Sequence, residues 1–129
     1  MCLYKNRLCH KHNRPLIADE DIVCYKLVDK STDGTYTTPY TNTVIPIECI
    51  ENKVPFKAKI VNKFRFFCYH ILGTTSIVGD GFIHVYKHPQ QSYHGCITFK
   101  CIIPKGTKYF VGVLNDYASK KIVFLEERK

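Results

Sequence analysis

Apolar side chains along this chain recur at every second position, and Gly, Pro, Asn and Asp interrupt them at short intervals. Period two is the spacing of a strand with one buried face, so the pattern predicts a β-rich molecule with little helix. The clearest strand patterns are DIVCYKLV (21–28), FIHVYK (82–87), CITFKCII (96–103), KYFVGVL (108–114) and KIVFLEE (121–127), the last with Ile122 and Phe124 on its apolar face. A longer alternating segment runs from Phe56 to Leu72, and Val61 breaks its phase, so a bend or bulge is expected near Asn62. In TYTTPYTNTVIPI (35–47), Pro39 and Pro46 cannot donate to a ladder, which leaves a broken edge strand or an extended loop. These readings predict an α+β, β-rich fold with a single twisted mixed or antiparallel sheet of roughly six or seven strands.

Turn chemistry sets the joints. Asp33 and Gly34 in DKSTDGT tolerate positive φ and predict a hairpin turn. IADED (17–21) reads as a short acidic turn, GTTSIVGDG (73–81) and NDYAS (115–119) as loops, and HPQQSYHG (88–95) as one helical turn opening at Pro89. The most motif-like stretch is CIIPKGTKYFVG (101–112). A phosphate-binding P-loop needs an earlier glycine and a following helix. Here that glycine is missing and a strand pattern follows. The expectation is a type I turn, with Ile103 first, Pro104 second and Gly106 fourth.

The 129 residues suit one domain, and 45% hydrophobic with 23% charged residues excludes a disordered chain. FRFFCYHILGTTSIVG is broken by Arg65, His70 and Gly73, and falls short of the roughly 18 apolar residues a membrane span requires. MCLYKNRLCHKHNRP carries no apolar core behind its charges, so a cytoplasmic location is expected rather than secretion. Seven cysteines, an odd number, several of them within strand patterns, read as reduced thiols used as small core groups. Nineteen Lys and Arg against eleven Asp and Glu give a net charge of +8, which serves solubility and also favours polyanionic partners. The lysines are spread along the sequence. Only residues 1–18 concentrate charge, with Lys5, Arg7, Lys11 and Arg14 interleaved with His10 and His12.

Three chemistries follow from residue type. Zinc accepts mixed Cys and His ligands, so a site joining Cys2, Cys9 and His12 to His84 and His88 is a metal candidate. Nucleophilic catalysis lacks an oriented Cys–His arrangement, and Asp19, Glu20 and Asp21 form one exposed acidic run rather than a catalytic pair. Aromatics say more. Tyr36, Tyr40, Tyr93 and Tyr117 fall in loops or edges beside polar residues. Together with His84, Lys87 and Lys105 they are the candidate surface for an anionic ligand, a nucleotide or nucleic acid, the rings stacking on bases while the cations hold phosphate. The plainer alternative is that each tyrosine half-buries its ring and keeps its hydroxyl wet.

The segments MCLY, DIVCYKLV, YTTPY, GFIHVYK, CIIPKGTKYFVG and DYASKKIVFL, in this order, resemble short uncharacterised proteins of Bacteroidales bacteria and their phages. In such relatives the stretch after the GFIHVYK strand is longer and helical, whereas here it is shortened to HPQQSYHG. The resemblance implies a small cytoplasmic accessory protein, phage-encoded, acting in counter-defence by binding a host protein or a nucleotide signal. It carries no catalytic residue. More distantly, the Tyr-Lys strand and the Ile-Pro-Lys-Gly turn resemble ADP-ribosyltransferase-like folds. Those enzymes use NAD and need a positioned acidic residue, and Asp116, Glu126 and Glu127 stand in no such motif. A binding module for an anionic ligand is therefore the first expectation, with an NAD-using enzyme and a protein-binding inhibitor as alternatives.

Overall fold

The structure, a computed structural model, describes residues 3–4, 16–39, 43–58, 77–78, 82–89, 96–112 and 116–128. Its strands are β1 (Leu3–Tyr4), β2 (Leu16–Ile17), β3 (Ile22–Lys30), β4 (Tyr36–Thr37), β5 (Val44–Ile45), β6 (Phe56–Lys57) and β7 (Ile77–Val78). They are followed by β8 (Ile83–Tyr86), β9 (Cys96–Ile103), β10 (Lys108–Val111), β11 (Asp116–Ser119) and β12 (Lys121–Arg128). One short helix, α1 (Ile47–Glu51), sits between β5 and β6.

Ten strands form one antiparallel sheet, more than the six or seven expected. Its main path is β2-β10-β11-β8-β3-β9-β12-β6, with the β4–β5 hairpin attached to the end of β3, while β1 and β7 make a separate antiparallel pair. The extra strands are short: β2, β4, β5 and β6 have two residues each, too few for a period to register. β11 lies in the segment read as a loop. Its buried members are Asp116, Ala118 and Ser119, so no apolar alternation announces it. β7 likewise falls within a segment read as a loop. The long strand expected from Phe56 is a strand as far as Lys57, and residues 59–72 lie outside those described. His88 and Pro89 are not helical, and the rest of that expected turn, 90–95, also lies outside.

The path is open, yet the sheet is strongly coiled. β11 and β12 are separated by the single residue Lys120, while β8, β3 and β9 stand between them in the ladder. Four strand spacings would place β11 and β12 about 19 Å apart in a flat sheet. Two residues of chain span at most about 7 Å. The sheet must therefore turn back on itself until 116–128 becomes one long bent strand.

The inside of this coil is the core. Ile22, Cys24 and Val28 of β3 face inward and meet Ile103, Cys101 and Ile97 directly opposite on β9. Phe124 lies 5.4 Å from Phe99 and 6.1 Å from Phe56 between ring centroids, and Phe99 in turn meets Tyr36 edge-on at 5.8 Å. Burying each such ring contributes roughly 1.5–3 kcal/mol, and this aromatic column draws β4, β6, β9 and β12 together. On the outer face, Phe110 and Ala118 pack with Phe82, and Leu27 and Thr98 are also buried. Cys24, Cys96 and Cys101 are free and buried, as their strand patterns suggested, and so is Cys49 in the short helix that follows β5.

Two turns follow the backbone of glycine. Gly34 has φ +87°, and Asp33 Oδ1 accepts from the Ser31 hydroxyl and, at 2.9 Å, from the Thr35 amide. Those hydrogen bonds to the ionised form hold the Asp33 carboxyl at about 2, below the ordinary range. The second turn differs from expectation. Thr107 N–H donates to Pro104 C=O at 3.1 Å and Gly106 has φ +88°, which is a type II turn starting at Pro104. It is not a hairpin either, since β9 and β10 have β3, β8 and β11 between them in the ladder. The turn instead crosses the end of the coil, held by Gly106 N–H on Ala18 C=O (2.7 Å) and Lys105 N–H on Asp21 Oδ1 (2.9 Å).

Helix α1 was not foreseen. Pro46 precedes it and Glu48 lies in its first turn, both start signals, but five residues are too few to show a helical period. No helix among the described residues is long and apolar enough to cross a membrane.

Candidate anion-binding site

Ser119 and Ile122 are both fully buried on the inner side, three positions apart. Strict alternation would put one of them outside, so an irregularity must lie between them, and both Lys120 and Lys121 leave the core. The Ser119 hydroxyl holds this kink, donating to Lys121 C=O at 2.7 Å and accepting Lys121 N–H at 3.3 Å. At the kink, Lys120 N–H donates to Lys108 C=O (3.0 Å), and Lys120 C=O accepts Ala58 N–H (2.8 Å). β10 and β6 thus meet the long strand at the same residue.

Between them opens a cleft of about 340 Å³, lined by Lys57, Ala58, Gly106, Thr107, Lys108, Lys120 and Lys121. Four of these seven side chains are lysines and none is acidic. Lys57 stands directly opposite Lys121, an unfavourable cross-strand pair of like charges. Lys120 is half-buried with Nζ 4.4 Å from the centroid of Phe82, which meets Phe110 edge-on at 5.2 Å. Burial first, and the charge of Lys108 second, push the Lys120 ammonium below the usual amine range.

Thr107 is 3% exposed, and among the described residues its Oγ1 has no hydrogen-bond partner. A hydroxyl buried in this way costs about 1–3 kcal/mol. Thr107→Val, which keeps the shape and deletes the hydroxyl, is therefore expected to stabilise the ligand-free protein by about 1 kcal/mol, measured by urea denaturation. Gly106→Ala is expected to cost about 1 kcal/mol in the same assay. Among the described residues nothing lies within 4 Å of the added methyl, so that cost comes from the positive φ.

The structure does not gather the described members of the predicted aromatic surface. Lys105 is exposed in the type II turn beside the lining residues Gly106 and Thr107. Tyr36 packs on Phe99 with Lys30 Nζ 5.5 Å from its ring centroid, at the Lys30 end of β3. Lys105 is tied to Asp21 at the other end, about 30 Å away along the strand. Tyr117, expected in a loop, is half-buried in β11 on the inner side. It meets Tyr109 edge-on at 5.9 Å, and burial raises its phenol. His84 lies on the outer face opposite Ala118, while Lys87 and His88 are exposed just beyond β8. Tyr40 and Tyr93 lie outside the described residues.

Among the described residues no three His, Cys, Asp or Glu side chains come close enough to hold a metal ion. The zinc candidates Cys2, Cys9 and His12 lie outside that set. Asp116 is buried opposite Tyr86, whereas Glu126 and Glu127 are exposed at the other end of the long strand.

Compared with protein-family models, curated proteins and solved structures, the chain matches none. The site therefore rests on its own geometry. Sequence reasoning passed over Lys57, Lys108, Lys120 and Lys121 because 51 positions separate the first pair and 12 the second. The adjacent Lys120-Lys121 and the PKGTK turn were the available signals.

Proposed function

We propose that the chain is a non-enzymatic binding module whose lysine-lined cleft holds the phosphate groups of an anionic ligand, a nucleotide or nucleic acid. The observation that carries this reading is the convergence of four lysines from three separate chain segments on one cleft with no lining carboxylate among the described residues. Like charges brought together raise the free energy of the fold, and the charge of Lys108 adds to the burial that lowers the Lys120 pKa. A bound phosphate reverses the sign of every one of those interactions and makes charge-assisted hydrogen bonds with the ammonium groups. Sequestering a nucleotide signal, the role implied by the resemblance to phage proteins, needs no chemistry beyond such a cleft.

A salt series tests it. Binding of a labelled single-stranded oligonucleotide and of a labelled nucleotide is followed by fluorescence anisotropy from low to physiological salt. If four lysines each neutralise a phosphate, log K for the oligonucleotide falls against log salt with a slope of about −3. Failure of both probes to bind at low salt would refute the reading.

A further inference from the structure

Resting on that reading, we infer that the cleft takes the oligophosphate chain of a small molecule, with Thr107 Oγ1 donating the one directional hydrogen bond to a phosphate oxygen. The ligand class is a nucleoside di- or triphosphate or an inorganic polyphosphate, recognised by its phosphates rather than by its base.

Charge sets the number of phosphates. Four lysines line about 340 Å³, and a single phosphate group, at two negative charges or fewer, leaves them half neutralised. Two or three linked phosphates match the charge. The volume lies at the lower end of small-molecule sites, which suits a compact chain.

The lining sets what is read. Among the described residues no aromatic side chain lines the cleft, and the nearby Phe82 ring is covered by Lys120. A base entering here would find no stacking platform among the described residues.

The donors are side chains. In a P-loop, backbone amides cradle the phosphates. Here the amides of Ala58, Gly106, Thr107, Lys120 and Lys121 are all engaged by protein acceptors. What remains to face an anion is the set of ammonium groups, which attract from any direction, and the Thr107 hydroxyl, which does not. That hydroxyl, buried and unpartnered among the described residues, belongs to a residue that lines the cleft, in a turn fixed by Gly106 and Ala18. A phosphate oxygen would satisfy it.

The test is isothermal titration of the wild-type chain, Thr107→Val and Thr107→Ser with tripolyphosphate, ATP, orthophosphate, adenosine and a twelve-nucleotide single strand. Wild type is expected to bind tripolyphosphate and ATP with affinities within about threefold, and orthophosphate at least about tenfold more weakly, with no adenosine binding. Thr107→Val is expected to weaken tripolyphosphate about tenfold while keeping the salt slope, and Thr107→Ser to restore it to within about twofold. An unchanged Thr107→Val affinity, or adenosine binding as tightly as ATP, overturns the inference. Oligonucleotide binding without tripolyphosphate binding also overturns it and leaves the wider reading intact. If no anion binds the wild type, the wider reading fails as well.

Discussion

Lys57→Glu is expected to raise the stability of the protein and at the same time to weaken tripolyphosphate binding by at least about tenfold. The two effects have one cause. Lys57 and Lys121 are direct cross-strand partners on β6 and β12, and both line the cleft. Replacing a like-charge pair by an opposite-charge pair contributes roughly 0.2–1 kcal/mol to the sheet. The same change removes an ammonium donor from the ligand and turns a carboxylate towards it. A hydrogen bond to a charged group contributes about 1.5–3 kcal/mol, and 1.4 kcal/mol is tenfold in affinity. Urea denaturation and titration of one preparation give both numbers. A variant that lost stability and affinity together would show that Lys57 holds the strand pair and would remove it from the site.

Lys26→Met is expected to stabilise the protein by about 3 kcal/mol at pH 7 and to remove the rise that Lys26 contributes to its pH dependence between pH 7 and 9. Lys26 is on the inner face of β3 between Cys24 and Val28, opposite Phe99, and is 7% exposed. Burial lowers its pKa from 10.5 to about 8, with the nearby thiols of Cys101 and Cys24 opposing the shift. Below pH 8 the amine is charged in the folded and the unfolded chain alike, and the folded chain bears the full cost of burying it. Between about pH 8 and 10.5 the folded chain releases the proton while the unfolded chain keeps it, so stability rises with pH. At 1.36 kcal/mol per pKa unit, Lys26 by itself contributes a rise of about 1 kcal/mol from pH 7 to 9.

From about pH 8 upward the thiols act the other way. Burial pushes Cys24 up to about 12 and Cys101 still higher, so the unfolded chain loses those protons first and stability falls. Wild type should therefore be most stable between about pH 8 and 9. Urea midpoints at pH 7, 8 and 9 for wild type and Lys26→Met decide the matter: the stability of wild type relative to the variant rises by about 1 kcal/mol from pH 7 to 9, and a constant difference, or a less stable variant, would mean that the amine reaches water.

The strands that were legible in the sequence are those whose side chains show their burial. β9 was read from Cys96 to Ile103, as found, and β3 with its start one residue early and its end two residues short. Asp33-Gly34 marked its turn because positive φ leaves few residues to choose from. β11 left no mark, since a buried strand of Asp116, Tyr117, Ala118 and Ser119 has no apolar period. The turn at Pro104 was recognised but shifted by one position, because Gly106 suits the fourth place of one turn type and the third of another.

Period two, the turn glycines and the excess of lysine were set by the order of residues, because each depends on a side chain and its immediate neighbours. Where the lysines act was not. Lys57, Lys108, Lys120 and Lys121 share a cleft because the sheet coils until β10 and β6 meet at Lys120, with Ser119 holding the kink. That closure depends on contacts between segments far apart in the chain, among them Phe124 against Phe56 and Phe99. No local pattern encodes the distance between residues 57 and 121, so only the tertiary structure could bring their charges together.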